Sequence, residues 1–159
     1  MHSGILVEDE NRKILFTNEL FCQFFQIPRD PESMRGMDCS QSAEQSKLLF
    51  KDPEGFVTRI ADILQKKEKV LAEEVQLADG EYLERDFIPI YIHNNYKGHL
   101  WHYRNITDRK RDENRLKYLN NTQEAILNGT NYSIIFTDAE GVIRAFNTGA
   151  EKMLGYKAS

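Results

Sequence analysis

One short pattern occurs twice in this 159-residue chain, at a constant offset of 129 residues, and it limits the folds available to the chain. Each copy contains two apolar runs, a polar turn, an asparagine and a helix-like segment. The turns combine Asp, Asn and Gly in ways that favour β-hairpins, and regular repetition indicates a repeated structural unit. Each copy therefore predicts strand, turn, strand and helix, with chance resemblance as the alternative. The identical pairs are Ile5/Ile134, Asp9/Asp138, Ile14/Ile143 and Asn18/Asn147.

The second copy reaches the last residue soon after its helix-like segment. A chain of this length has room for one domain and part of another. We therefore expect residues 1–110 to form one complete domain, residues 107–130 to form a linking helix, and residues 131–159 to begin a second, truncated domain of the same kind.

Composition restricts the classes of function. The formal net charge is −4 and 40% of the residues are hydrophobic, which is ordinary for a globular domain and argues against a nucleic-acid binder with a basic face. No apolar run approaches the roughly 20 residues of a membrane span, and the N-terminus does not resemble a signal peptide. Cys22 and Cys39 form no C-x-x-C pair, so we expect reduced thiols in a cytoplasmic protein.

Between the two copies, the pattern changes from helical to extended. Apolar residues recur at helical spacing near Phe21, and Asp52-Pro53 is a typical helix start. Three β-rich runs follow, joined by turns at Asp79-Gly80 and at residues 94–98. This order predicts an α+β fold with an antiparallel sheet. The predicted helices are 19–27 and 52–66, and the predicted strands of this region are 70–77, 82–92 and 97–106.

The end of the last predicted strand resembles a known family. The run Asn105-Ile106-Thr107-Asp108-Arg109-Lys110 is similar to the Asp-Ile-Thr-Glu-Arg-Lys that closes many PAS domains with their PAC segment, with Asn105 in place of the usual Asp. Residues 98–104, Gly-His-Leu-Trp-His-Tyr-Arg, resemble the final strand of PAS modules in bacterial sensor histidine kinases. The resemblance extends over residues 4–119 and again over 133–156. It also rests on Asp79-Gly80 and on Phe87-Ile-Pro-Ile90.

This resemblance implies a five-stranded antiparallel sheet, short helices over one face, a small pocket and a C-terminal exit helix. It implies signalling through Asn105, Ile106 and Thr107, and sensing or protein interaction rather than catalysis. We recognise no Ser-His-Asp, H-E-x-x-H or P-loop motif in the sequence. We therefore expect a sensory module of a bacterial multi-domain protein, most simply a sensor histidine kinase. The alternatives are a diguanylate cyclase, a transcriptional activator and a ligand-free dimerisation module.

The resemblance also places one face of the strands towards the helices, because side chains alternate along a strand. A buried cation on that face needs a partner. We therefore expect Arg85 to pair with a carboxylate such as Glu73 or to reach solvent at the rim of the pocket. Alternatively, Arg85 and His99 together hold a small carboxylate ligand against Trp101. If the predicted strand register is wrong by one residue, the inner and outer faces are exchanged. The inward set is Val75, Leu77, Leu83, Arg85, Phe87, His99, Trp101 and Tyr103.

Two cofactors of this family fit the sequence poorly. Residues 36–39, Gly-Met-Asp-Cys, partly resemble the Gly-x-Asn-Cys of flavin-binding light sensors, but the amides that hold flavin would fall at Val75, Leu83 and Tyr103. Haem-binding members ligate iron through a histidine on the long helix, and residues 52–70 contain none. We predict no flavin, haem or metal, and a colourless protein.

The exit helix suggests partners. We expect the Thr107 hydroxyl to cap its first turn. Heptad-like spacing relates Leu116, Leu119, Gln123 and Ile126, and this spacing favours a homodimer. The other expected partners are downstream signalling domains of the same chain. Two alternatives are that the exit helix is a short surface helix without a partner, and that a new helix begins at Asn121.

Overall fold

The computed structural model describes residues 3–129 and 132–155. The chain divides between Asp108 and Arg109 into two compact units. The residues at 130–131 and 156–159, at the two ends of the predicted second domain, lie outside the described part.

The first unit contains a five-stranded antiparallel sheet in the order β2-β1-β5-β4-β3. The last strand, β5, lies at its centre and pairs with both β1 and β4. This arrangement confirms the predicted α+β fold. The strands are β1 (Ser3–Asp9), β2 (Ile14–Thr17), β3 (Val70–Gln76), β4 (Tyr82–Ile92) and β5 (Asn95–Asn105).

Short helices cover one face of the sheet. The longest begins where predicted, because Asp52 accepts a hydrogen bond from the Gly55 N–H at 3.0 Å. It ends at Lys67, whose φ of 51° breaks the helical backbone. The helices of this face are α1 (Glu19–Phe24), α2 (Ser42–Ser46) and α3 (Pro53–Lys66), with 3₁₀ turns at Pro31–Met34 and Lys47–Leu49.

The core lies between these helices and the inner face of the sheet. Phe56, Ile60 and Ile63 of α3 are buried there, one or two helical turns apart. The alternation predicted for the strands is correct, so the alternative of a shifted register is wrong. Seven of the eight residues of the predicted inward set are buried, and Val75 is half-buried against the same core.

The turn between β4 and β5 differs from the prediction. It lies at His93 and Asn94, which have left-handed φ values of 48° and 63°, rather than at residues 94–98. Gly98 belongs to β5, where its φ is 135° and a Cβ atom would lie 2.0 Å from the Glu8 carbonyl oxygen. This glycine is therefore required by the close approach of β1, and not by a turn.

The exit helix, α4 (Thr107–Gly129), is continuous, so the alternative of a new helix at Asn121 is wrong. Most of its side chains are exposed. Within the described ranges, the structure shows no helix with both the length and the apolar character to cross a membrane.

The second unit contains a hairpin of β6 (Ile135–Thr137) and β7 (Ile143–Phe146), followed by α5 (Thr148–Leu154). The pairing register of β6 and β7 matches that of β1 and β2 at the same offset, including the bulge. The repeat of strand, turn, strand, asparagine and helix is therefore confirmed, while its assignment to a second PAS domain stays a prediction.

Candidate functional site

A cavity of about 610 Å³ lies between the inner face of the sheet and the helices of the first unit. Its volume is within the usual range for small-molecule sites. On one side it is bounded by α2, a short helix none of whose residues is buried. Its apolar wall includes Leu6, Ile14, Phe21, Phe25, Phe56, Ile60 and Trp101, and its polar wall includes Glu8, Arg12, Ser42, Gln45 and Tyr103.

Of the predicted inward set, Trp101 and Tyr103 line this cavity. Phe87 and His99 pack behind them, with ring centroids 4.7 Å and 5.6 Å from that of Trp101. The aliphatic members, Val75, Leu77 and Leu83, belong to the surrounding core.

Arg85 is paired within the protein. It is 1% exposed and lies opposite Glu73 in the register of β3 and β4. Its Nε donates to Glu73 Oε2 at 3.0 Å, and its Nη2 donates to the same oxygen. Arg59 donates to the other oxygen at 2.7 Å. The predicted pair with Glu73 is therefore confirmed, and the alternative of an arginine at the solvent rim is wrong.

The two arginines also set the charge of Glu73. Burial alone would raise the pKa of Glu73, but hydrogen bonds and charge from Arg85 and Arg59 outweigh it, so the pKa lies below its ordinary value. The Arg85 guanidinium is 5.6 Å from the Trp101 ring centroid and so lies behind the cavity wall. Burial raises the pKa of Tyr103, although the nearby Arg85 opposes that shift.

A second buried polar cluster, Glu8 with Arg12, Tyr96 and His99, was missed by the sequence prediction. Glu8 is fully buried on β1, opposite His99 of β5. Glu8 Oε2 forms an ion pair with Arg12 and lies 3.2 Å from His99 Nε2. His99 Nδ1 is 2.5 Å from the Tyr96 hydroxyl. Leu6 and Glu8 are two residues apart on β1, so their side chains lie on the same face of the strand. This alternation in the sequence could have predicted that Glu8 points inward.

Cys39 borders this cluster. Its carbonyl accepts a hydrogen bond from Arg12 Nη2 at 2.9 Å, and the residue lines the cavity. Burial, together with the charge of Glu8, raises the pKa of the Cys39 thiol to about 12. Cys39 and Cys22 are both buried free thiols. A protonated, buried thiol is a poor nucleophile, so Cys39 acts as part of the cavity wall.

The junction between β5 and α4, residues Asn105–Thr107, is attached to the start of β4. The Thr107 hydroxyl accepts from the Tyr82 N–H at 2.9 Å, so the predicted cap of the first turn is wrong. Instead, Asn105 Oδ1 accepts from the Thr107 N–H at 2.9 Å, and Asn105 Nδ2 donates to Glu81 at 3.0 Å. The start of the exit helix is thus held by a neighbouring strand.

The metal-ligating residue types are scattered over the part of the chain that the structure describes. Within residues 3–129 and 132–155, no three His, Cys, Asp or Glu side chains gather into a group that could hold a metal ion. The histidines at 99 and 102 face opposite sides of β5, and each has its own protein neighbour.

Comparisons with known proteins agree with this architecture. A family model described as PAS domain matches residues 2–108. The sensor region of a sensor histidine kinase has a TM-score of 0.52 at 14% identity, over 67% of this chain and 40% of that one. The PAS domain of BvgS from Bordetella pertussis has a TM-score of 0.51 at 17% identity, over 77% and 90%. At identities this low, the two structures show only that the fold is shared. No curated protein sequence matches the chain with significance.

Proposed function

The chain belongs to the PAS domain family, and on that premise we propose that it is the cytoplasmic sensory module of a bacterial signalling protein that detects a small molecule. The observation that carries this proposal is the cavity of about 610 Å³, with charged residues in its wall. The module acts by binding, and kinase or cyclase chemistry belongs to a downstream domain.

A single strand connects the cavity with the exit helix. Trp101 and Tyr103 of β5 line the cavity, and Asn105 of the same strand makes the turn into α4. A ligand can shift a conformational equilibrium only by its difference in affinity for the two states. We propose that the ligand favours one position of β5 and so one arrangement of the junction.

The output is proposed to be a sensor histidine kinase, on the resemblance of residues 98–110 to such modules. The exit helix carries exposed apolar side chains at Leu116, Leu119 and Ile126, which are 62%, 52% and 61% exposed. Their spacing supports a homodimer through this helix. Analytical ultracentrifugation of the whole chain at micromolar concentration tests the dimer, and a monomer throughout would reject it.

Native mass spectrometry tests the sensing proposal. The whole chain, purified directly from expressing cells, is expected to carry an added mass that unfolding removes. If no mass is bound, and no member of a metabolite library raises the melting temperature, the ligand-free dimerisation module is the better proposal. An absorption band near 450 nm or in the Soret region would instead identify a coloured cofactor and overturn our expectation of a colourless protein.

Asn105→Ala tests the route of the signal. The variant loses the bonds from Asn105 to Thr107 and Glu81, which costs roughly 0.5–1.5 kcal/mol each, so the domain is expected to fold. It should keep the bound mass but lose the ligand-dependent change in hydrogen exchange of α4. The control, Asn121→Ala, alters an exposed residue of α4 and should leave that change intact. If the ligand-dependent change in hydrogen exchange is the same in both variants, the signal does not pass through Asn105.

A further inference from the structure

The indole N–H of Trp101 is a donor in the cavity wall without an acceptor in the described part of the chain. Trp101 is 3% exposed and lines the cavity from the inner face of β5. Its ring packs against those of Phe87, His99 and Tyr103, and its Nε1 has no hydrogen-bond partner among the described residues. A buried tryptophan usually finds a partner for this group, so the unpaired donor requires an explanation.

Trp101 Nε1 differs from the other unpaired polar atoms of the core because it is open to the cavity. Three such atoms of the described residues, Glu8 Oε1, Arg85 Nη1 and His99 Nε2, are closed off from water, so no ligand in the cavity reaches them. Trp101 Nε1 is not closed off in this way, and its residue borders the cavity. Water can satisfy this donor in an empty cavity, but a ligand that displaces the water has to bring an acceptor of its own.

The charges near the cavity favour an uncharged acceptor. Arg12 of the wall and Arg85 behind the wall each form an ion pair with a carboxylate of the protein. Arg29, the other cation of the described wall, is exposed to solvent. A ligand carboxylate at Trp101 would therefore be buried without a counterion of its own, which is costly. A carbonyl oxygen accepts the same hydrogen bond and brings no charge into the cavity.

The side chains around Trp101 favour a flat, apolar ligand. Phe21, Phe25 and Phe56 border the same cavity, and aromatic side chains favour stacked or edge-on contact with flat rings. Resting on the proposed function, that the cavity binds a small molecule, we infer that its ligand is an uncharged aromatic carbonyl compound whose oxygen accepts a hydrogen bond from Trp101 Nε1.

Matched pairs of probes test this inference on the whole chain. Acetophenone is compared with ethylbenzene and 1-indanone with indane, and benzoate serves as the charged probe. The indole N–H resonance of Trp101, the sole tryptophan, reports on the donor itself. We expect each ketone to move this resonance downfield relative to its hydrocarbon, because the ring currents of a pair cancel and only the ketone accepts a hydrogen bond.

Two variants connect the affinity of the probes with this donor. Trp101→Phe removes the N–H and keeps an aromatic ring. The preference for ketone over hydrocarbon, measured by calorimetry, should then fall about two- to tenfold, which corresponds to one net hydrogen bond. The control, Phe25→Leu, alters the cavity wall without removing a polar atom and should keep the preference. If Trp101→Phe fails to fold, the indole resonance of the unaltered chain decides the matter.

The failures are distinguishable. An equal shift from ketone and hydrocarbon, or an unchanged preference in Trp101→Phe, overturns the inference. Binding of benzoate at least as tightly as the ketones overturns it too, but supports the proposed sensory function and the carboxylate expected from the sequence. If no probe binds, the inference is wrong, and the sensory function is judged by its own mass-spectrometric experiment.

Discussion

Residues 3–24 and 132–153 fold into the same hairpin and helix, yet the apolar side chains of the strands are buried only in the first copy. Asn18 Oδ1 accepts from the Ile5 N–H at 2.9 Å, and Asn147 Oδ1 accepts from the Ile134 N–H at 2.8 Å. Both asparagines also accept from the first turn of the following helix, at 3.0 Å and 2.9 Å. The backbone is thus the same in both copies, down to single hydrogen bonds.

Burial separates the two copies. Leu6 is 4% exposed, whereas its counterpart Ile135 is 43% exposed; Ile14 and Ile143 are 2% and 55% exposed. In the first copy, β1 has a second neighbour, β5, and a layer of helices, while within the described residues β6 pairs only with β7. The turn and the asparagine determine the hairpin, and the rest of the domain determines whether its apolar face is covered.

The largest expected effect comes from removing a buried partner. Glu73→Gln leaves Arg85, which is 1% exposed, without its counterion, and should lower the free energy of unfolding by about 3–5 kcal/mol. Urea denaturation followed by Trp101 fluorescence measures this value. The matched change in the second unit, Asp138→Asn, frees an Arg144 side chain that is 63% exposed and should cost less than about 1 kcal/mol. Similar losses in both units would contradict the contrast in burial.

Truncating equivalent apolar side chains should have the next largest effect. Leu6→Ala opens a cavity in the core and should cost about 2–5 kcal/mol by the same fluorescence measurement. Ile135→Ala, read from hydrogen exchange of the β7 amides, should cost less than about 1 kcal/mol because this side chain is already partly in water. A large loss at Ile135 would show that another surface covers it in solution.

Removing the asparagines should give equal, smaller effects. Asn18→Ala and Asn147→Ala each delete a helix cap and a bond across the hairpin, with an expected loss of about 1–2 kcal/mol in local stability. Hydrogen exchange at Ile5 and Ile134 measures the two losses. Unequal values would mean that the shared hydrogen bonds depend on the surrounding domain rather than on the repeat itself.

Acid should remove the contribution of the buried pair gradually. The pKa of Glu73 is lower in the folded than in the unfolded chain, so its stabilising effect is fully present above the ordinary pKa of glutamate. That effect is lost as the pH falls through the folded value. The difference in unfolding free energy between the unaltered chain and Glu73→Gln should therefore shrink below about pH 4. A difference that stays constant down to pH 2 would argue that Glu73 carries no charge in the pair.

The candidate site was predictable where the local pattern carried the information. Alternation put Arg85 and Trp101 on matching faces of their strands, and the family resemblance turned those faces towards the helices. The cost of a buried cation made Glu73 one of the partners predicted for Arg85. The same alternation places Glu8 on the inner face, but Glu8 was not among the residues predicted to point inward. The cavity was not predictable in position, since residues from several distant helices and strands line it.

The strands, the alternation of their side chains, the two hairpins with the asparagine after each, and the exit helix could be predicted from the sequence, because they depend on periodicity and on bonds between near neighbours. Long-range packing instead sets which hairpin is buried, the partner of the Thr107 hydroxyl, and the surroundings of Glu8. Tyr82 is 25 residues from Thr107, and His99 meets Glu8 only because the last strand inserts beside the first. Such contacts arise from the packing of distant segments, which no local pattern specifies.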